Sequence, residues 1–471
     1  MTPSGSADRP ASGVPPRWAT VLLVAASLGV HLGLFVLDRW PEPRTLVGDE
    51  VTYWSRAEAL RSGVSASSEP GASLGGDGRD LLWPPLYPRF LAAAWGATGG
   101  AGRLPVQGIQ VALLLAAALL LASFSAHLGI HRPWRPWVAA GIFGFPPLAA
   151  YAYYFWPEIP HLFFFALALV CLARPPQPRG WMWAAAGGIA LGLALLTKSL
   201  LTPLVPLLLL ALWMDRRGDD GSSRRWLRPA AAVLAMAAVV APTVVANHRT
   251  TGRAVIADSG TFNLWVGLRD TSRRNHVDSI VWPELQAYLA SADTPAERDR
   301  LLRHRIAAHV EERGMAAVLV GQLGKQYFRL FDKGSYLTDQ LPWGPIHTVG
   351  QGYLAFPERP GIWLRRLVFL VYGALLVAAA MGLAWTIGRG DRGPWGLTGV
   401  AFVGLNLLLF LGLHVKTRYR VPIEPFWILW GVAALQAGWG RGGRPGTVRT
   451  AVGAVLALLA LGLAFGARFA G

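Results

Sequence analysis

Apolar runs of about 20 residues recur along most of this chain, and they constrain its fold more than any other feature. A helix of that length just crosses a hydrocarbon core of roughly 30 Å. The spacing predicts eleven spans, near residues 18–37, 104–126, 134–153, 158–173, 181–197, 199–214, 228–246, 364–387, 394–413, 421–438 and 449–467. Composition agrees. Of the 471 residues 53% are hydrophobic and only 15% are charged, too few charges for a soluble protein of this size. Mean hydropathy is +0.37. Many of the 21 tryptophans stand near the ends of the runs, among them Trp18, Trp40, Trp134, Trp137, Trp156 and Trp181, as in an interfacial belt. The expected fold class is an all-α polytopic membrane protein.

Charge orients the spans. With the N-terminus inside, the short inner connections near 127–136, 174–180, 215–227, 388–393 and 439–448, with their immediate flanks, hold fourteen arginines, including Arg132, Arg135, Arg216, Arg217, Arg224 and Arg225. The short outer connections hold only Lys198, Lys416, Arg418 and Arg420. This is the positive-inside pattern of a multi-pass plasma-membrane protein. It also accounts for the net charge of +17 without a nucleic-acid partner. The chain then divides into a cytoplasmic tail (1–17), an N-terminal transmembrane module (18–246) with an outer loop at 38–103, an outer-face segment (247–363) and C-terminal helices (364–471). The first run, 18–37, lacks a small-residue cleavage site and reads as a retained signal anchor. The single cysteine, Cys171, lies in an apolar run, so no intrachain disulfide and no cysteine-based metal site is available.

Both long outer segments carry shorter elements. The first reads as a helix over about 50–62 with Asp49 as its N-cap, a Gly/Ser-rich loop, and a helix from the Pro84–Pro88 region to Gly96 or Gly99 that lies on the membrane. In the second, GRAVIADSGTFNLWVG has strand and turn character, Thr294-Pro295-Ala296-Glu297 is a capping box, and MAAVLVGQLGKQYFRLF has the spacing of an interfacial helix. Gly188 and Gly192 are spaced for close helix packing. The sequence contains neither a phosphate-binding glycine loop nor a solenoid repeat.

The threading gathers the chemistry on the outer face. Asp49, Glu50, Glu158, Lys198, Asn247, His248, Arg249, Lys416, Arg418 and Arg420 all fall there. A carboxylate beside the bilayer can deprotonate a hydroxyl, and Asp49 is the candidate base. Glu50, a like charge next to it, is expected to raise one pKa of the pair. Lys416, Arg418 and Arg420 alternate within HVKTRYR and can converge on one phosphate, with Lys198 as a further contact. Glu158 starts a span and must face the protein interior. It stands three residues before His161, so a divalent metal, a polar substrate contact and a simple helix-start carboxylate all remain open for it. His414 lies near the same face.

These residues resemble the GT-C superfamily of polyprenyl-phosphate-sugar transferases, and within it the protein O-mannosyltransferases and the lipid A aminoarabinose transferases. The resemblance rests on Asp49–Glu50, Pro84–Pro88, Glu158, the GLALLTK turn ending at Lys198, ANHRTTGRAVIADSGTFNLWVG, and RYRVPIEPF, in that order. It implies an inverting, metal-tolerant or metal-independent enzyme with Asp49 as base, a polyprenyl-phosphate-linked sugar donor, and a lipid, glycan or protein acceptor in contact with membrane lipids. From their shared outer face, Glu158, Lys198, His248, Arg249, Lys416, Arg418 and Arg420 are the candidate substrate contacts, and Glu50 is a catalytic candidate beside Asp49. A transporter or flippase would also need many spans and cationic sites, but its ionisable groups belong at the midplane of the spans rather than at one face. A ligase or polymerase acting on lipid diphosphates would share the donor type.

Overall fold

Helix α1 (Arg17–Leu37) starts directly after Pro15 and Pro16 and packs on α5 (Arg135–Gly144). The computed structural model describes residues 13–62, 81–97, 99, 102–175, 179–215, 226–273, 278–387, 393–439 and 446–466. Every regular element among them is helical. The remaining helices that matter here are α2 (Asp49–Ser62), α3 (Leu86–Ala97), α4 (Arg103–Phe124), α6 (Glu158–Leu172), α7 (Gly180–Thr197), α8 (Val205–Met214) and α9 (Leu227–Thr251). They continue with α10 (Gly260–Arg269), α11 (Asp278–Leu289), α12 (Pro295–Arg313), α13 (Met315–Phe331), α14 (Glu358–Thr386), α15 (Pro394–Gly412), α16 (Glu424–Trp439) and α17 (Thr447–Gly466).

Among the described residues seven helices are long and apolar enough to cross a membrane: α1, α4 with its 3-10 extension to Leu128, α7, α9, α14, α15 and α17. The chain is a multi-pass membrane protein. The other four expected spans are shorter or broken, for local reasons. The run at 134–153 stops being regular at Phe145 because Pro146 forces the residue before it out of the helical region. The run at 199–214 opens as a 3-10 turn over Ser199–Leu204 that contains Pro203. Helices α6 and α16 have only 15 and 16 residues, and both are enclosed by other helices.

Small residues set the closest approaches. A Cβ at Gly188 would stand 2.1 Å from the Ala232 carbonyl oxygen, so α7 and α9 meet backbone to backbone. Gly192 meets Val239 one turn on. Gly382 lets α14 reach the Trp430 carbonyl of α16 in the same way. The expected pairing of Gly188 and Gly192 is therefore a packing face. Cys171 is buried and free.

Two expectations change for the outer segments. GTFNLWVG is not a strand. It forms α10, because Phe262 and Val266 stand one turn apart and seal a small core with Leu82, Leu285, Tyr288 and Leu302. Its β-branched and aromatic residues read as a strand only while those distant partners are unknown. Asp49 is not an N-cap. It is the first residue of α2, and its carboxylate is engaged elsewhere. Thr294 does cap α12, accepting from the Glu297 amide at 3.3 Å. The Gly/Ser-rich loop at 63–80, the tail at 1–12 and the loop arginines at 216–217 and 224–225 lie outside the described residues.

Candidate active site

A cavity of about 400 Å³ opens where α2, the start of α6, the turn after α7, α10 and the segment after α15 meet. Asp49, Glu158, Lys198, His414, Lys416 and Arg418 line it. The local sequence explains how each gets there. Lys198 follows α7 directly, and its extended backbone turns the side chain into a 3-10 corner. Lys416 ends the short connection after α15, and Arg418 lies in the 3-10 turn at Thr417–Arg420 that follows it. That connection is held against α10: Asn263 O accepts from the His414 amide at 2.7 Å, and a Cβ at Gly267 would sit 2.7 Å from the Gly412 carbonyl.

Two ion pairs organise the floor. Arg418 Nη2 donates to Asp49 Oδ2 at 2.6 Å, and Lys198 Nζ donates to Glu158 Oε1 at 2.9 Å. Burial pushes the Asp49 carboxyl up, but Arg418, Lys416 and Lys198 outweigh it and hold it below the usual carboxylate range. The expectation that Glu50 would raise a pKa of the acidic pair is thus replaced at Asp49 by cationic control. Aromatic faces back the cations. The Arg418 guanidinium lies 5.5 Å from the Trp156 and Tyr419 rings, and Lys198 Nζ lies 5.0 Å from Tyr419. Behind them, burial and the neighbouring Lys416, Arg329, Arg418 and Lys325 keep the His414 imidazole well below its ordinary pKa, so it stays neutral. Arg329, ion-paired with Asp270, donates to its Nδ1 at 3.3 Å.

The adjacent carboxylates divide their work. Glu50 is fully buried and outside the cavity lining. Arg44 grips it with two hydrogen bonds of 2.7 Å, and the amides of Val47 and Phe155 add two more at 2.9 Å. Glu50 fixes the first turn of α2 and so positions Asp49. Arg44, which also reaches Asp38 and Gln340, is the residue that sequence reasoning missed. Its only signal was an arginine six positions before Glu50 in a loop with no apparent task.

Other expected residues sit elsewhere. Arg420 does not converge with Lys416 and Arg418. It is buried, bonded to Glu424 Oε1 at 2.6 Å, to the Gly334 carbonyl at 3.1 Å and to the Asp332 carbonyl, and so ties the start of α16 to the end of α13. The alternation in HVKTRYR is lost because residues 417–420 coil into a 3-10 turn. His248 and Arg249 are exposed on the last turn of α9 and do not line the cavity. Asn247 closes the following loop by donating to the Val255 and Ile256 carbonyls. His161 Nδ1 donates to the Ala194 carbonyl at 3.0 Å. Among the described residues no three His, Cys, Asp or Glu side chains stand together as a metal site.

Fold and cavity define a class: a helical multi-pass membrane protein with a pocket where two carboxylates, Asp49 and Glu158, face Lys198, Lys416 and Arg418. Residues 106–251, from α4 to α9, match the family described as dolichyl-phosphate-mannose-protein mannosyltransferase. No curated protein matches the chain in sequence. Among solved structures it is similar to the Archaeoglobus fulgidus oligosaccharyltransferase in its apo form, at 12% identity and a TM-score of 0.49, over 96% of this chain and 55% of that one. It is also similar to ArnT from Cupriavidus metallidurans bound to undecaprenyl phosphate, at 16% identity and a TM-score of 0.46, over 97% of this chain and 72% of that one. The chain thus spans about half the length of the first of these proteins.

Proposed function

We propose that this protein is a GT-C type glycosyltransferase that moves a sugar from a polyprenyl-phosphate donor to an acceptor hydroxyl at the outer face of the plasma membrane, with inversion. One observation carries the reading: Asp49, Glu158, Lys198, Lys416 and Arg418, scattered over the sequence, line a single cavity. The family of residues 106–251 supplies the donor class. The arginine-rich inner loops support the outward-facing side.

In this mechanism the acceptor oxygen attacks the anomeric carbon and Asp49 takes the hydroxyl proton. The bond from that carbon to the phosphate oxygen breaks, and its electron pair stays with the polyprenyl phosphate. The leaving group is already an anion of low basicity, so holding its charge matters more than protonating it. Lys198, Lys416 and Arg418 do that. Arg418 links the two halves. While no donor is bound it neutralises Asp49. A phosphate that competes for the guanidinium lets the carboxylate's basicity rise at the moment the donor is in place. Glu158 keeps Lys198 oriented through their 2.9 Å contact.

Purified protein, supplied in turn with several radiolabelled polyprenyl-phosphate sugars, is expected to release polyprenyl phosphate and label an acceptor or water with at least one of them. The same lipids in vesicles, translocated without cleavage, would instead indicate a transporter.

A further inference from the structure

Helix α13 is built the wrong way round for a protein in water. Gln322, Lys325, Gln326 and Arg329 are buried, whereas Met315, Leu319, Val320 and Leu323 are 58%, 43%, 69% and 47% exposed. A helix whose polar residues face protein and whose apolar residues face outward is suited to lie in the membrane interface. Beside its exposed half lies a second cavity, of about 410 Å³, separate from the one holding Asp49. Among the described residues its walls carry Arg273, His309, Arg313 and Lys325 and no carboxylate.

We propose that this cleft between α10, α12 and α13 binds the phosphodiester headgroup of an anionic membrane lipid, with the acyl chains lying along Met315, Leu319, Val320 and Leu323. Three observations meet there. First, the cations are held in place for a ligand. Lys325 Nζ donates to the carbonyls of Asp270 at 2.6 Å and Leu268 at 3.4 Å, which fixes an ammonium in the wall without neutralising it. Nearby acids are committed elsewhere: Asp270 pairs with Arg329, and Glu284 lies 3.2 Å from Arg269. Glu312 stands exposed beside Arg313, outside the lining. Second, Ala317 and Val318 in the first turn of α13 line the cavity, and that turn has no side-chain cap. The Val318 amide bonds the Gly314 carbonyl at 3.1 Å, and the amide N–H groups before it, with the helix dipole, favour an anion. Third, the exposed apolar side chains border the same cleft, and Val320 belongs to both surfaces. A soluble anion would use the first two features and leave the third in water. A lipid uses all three, and juxtamembrane cations gain most from anionic lipid. The electrostatics agree. Burial and the neighbouring Arg329 push the Lys325 ammonium down to about 8, and burial with Arg313 and Arg269 lowers His309. Asp270 opposes the shift at Lys325 and Glu312 opposes it at His309, but neither offsets burial and the neighbouring cations.

The inference does not depend on sugar transfer and is tested without it. Native mass spectrometry of the full-length protein in detergent, titrated with phosphatidylglycerol or phosphatidylcholine, reads the bound lipid directly. Wild type is expected to retain phosphatidylglycerol in preference to phosphatidylcholine. R273Q/R313Q should bind it about 30-fold more weakly, as removal of two surface cations implies, with an unchanged melting temperature in detergent alone. V320E, a change on an exposed side chain, should weaken it as well. Equal retention of the two lipids by wild type, or undiminished phosphatidylglycerol binding in R273Q/R313Q, overturns the proposal. Displacement of the lipid by millimolar inorganic phosphate would assign the cleft to a free anion and overturn it too.

Discussion

Replacing Arg418 by glutamine separates the two tasks assigned to that side chain. In the protein its guanidinium lies 2.6 Å from Asp49, with the arginine 14% and the aspartate 31% exposed in their side chains. At an effective dielectric near 20 a charge pair 4 Å apart is worth about 4 kcal/mol before desolvation. Part of that attraction is lost again when a phosphate displaces the carboxylate, so the net contribution to donor binding approaches that of a charge-assisted hydrogen bond, about 1.5–3 kcal/mol. Arg418→Gln is therefore expected to raise the donor Kd by about 10- to 150-fold. The pH profile should move as well. A carboxyl lowered in the folded state contributes stability that is present above its unfolded pKa and is lost as pH falls through its folded pKa. In wild type the acid limb of kcat/KM, which reports the free enzyme, should lie below the ordinary carboxylate range. In R418Q it should shift upward, because burial remains and the largest opposing charge is gone. Filter binding of a radiolabelled donor and initial rates across pH measure both. An unchanged donor Kd together with an unchanged acid limb would refute the assignment of Arg418.

Further expectations follow from neighbouring contacts. Arg44→Met leaves the buried Glu50 carboxylate with only its two amide donors, so it should destabilise the protein by about 3–5 kcal/mol, seen as a lower melting temperature in detergent. Arg420→Met should also lower the melting temperature, yet the protein that remains folded should bind donor with wild-type Kd, because Arg420 serves Glu424 and backbone carbonyls rather than the cavity. Gly188→Leu should fail to accumulate in the membrane, since even a Cβ would overlap the Ala232 carbonyl, whereas Gly462→Leu, where a Cβ meets nothing within 4 Å, should be tolerated.

Much of the fold is legible in the sequence because lipid imposes a length on each apolar run. The seven long spans follow from that alone. The runs at 134–153 and 199–214 are less regular than their hydropathy suggests, since Pro146 and Pro203 interrupt the helix without altering apolar content. The site was legible by face but not by partner. Topology brings Asp49, Glu158, Lys198, Lys416 and Arg418 to one side, but no local pattern tells that Asp49 meets Arg418 while its neighbour Glu50 meets Arg44. Adjacent residues on a helix differ by about 100° in direction, so one turns to the cavity and the other into the core. Arg420 misled for a similar reason: alternation in the sequence held no geometry once the segment coiled. Helix α10 was hidden because its partners, Leu82 and Leu302, are far away along the chain.

The central claim is that Asp49 accepts the proton of the attacking hydroxyl. Asp49→Asn keeps the shape of the side chain and removes its basicity. With purified protein and a radiolabelled polyprenyl-phosphate sugar that wild type consumes, single-turnover transfer should fall by about 10²–10⁴-fold, while the donor is bound at least as tightly as by wild type because Arg418 is released from its partner. Transfer by the asparagine variant at the wild-type rate would contradict the account.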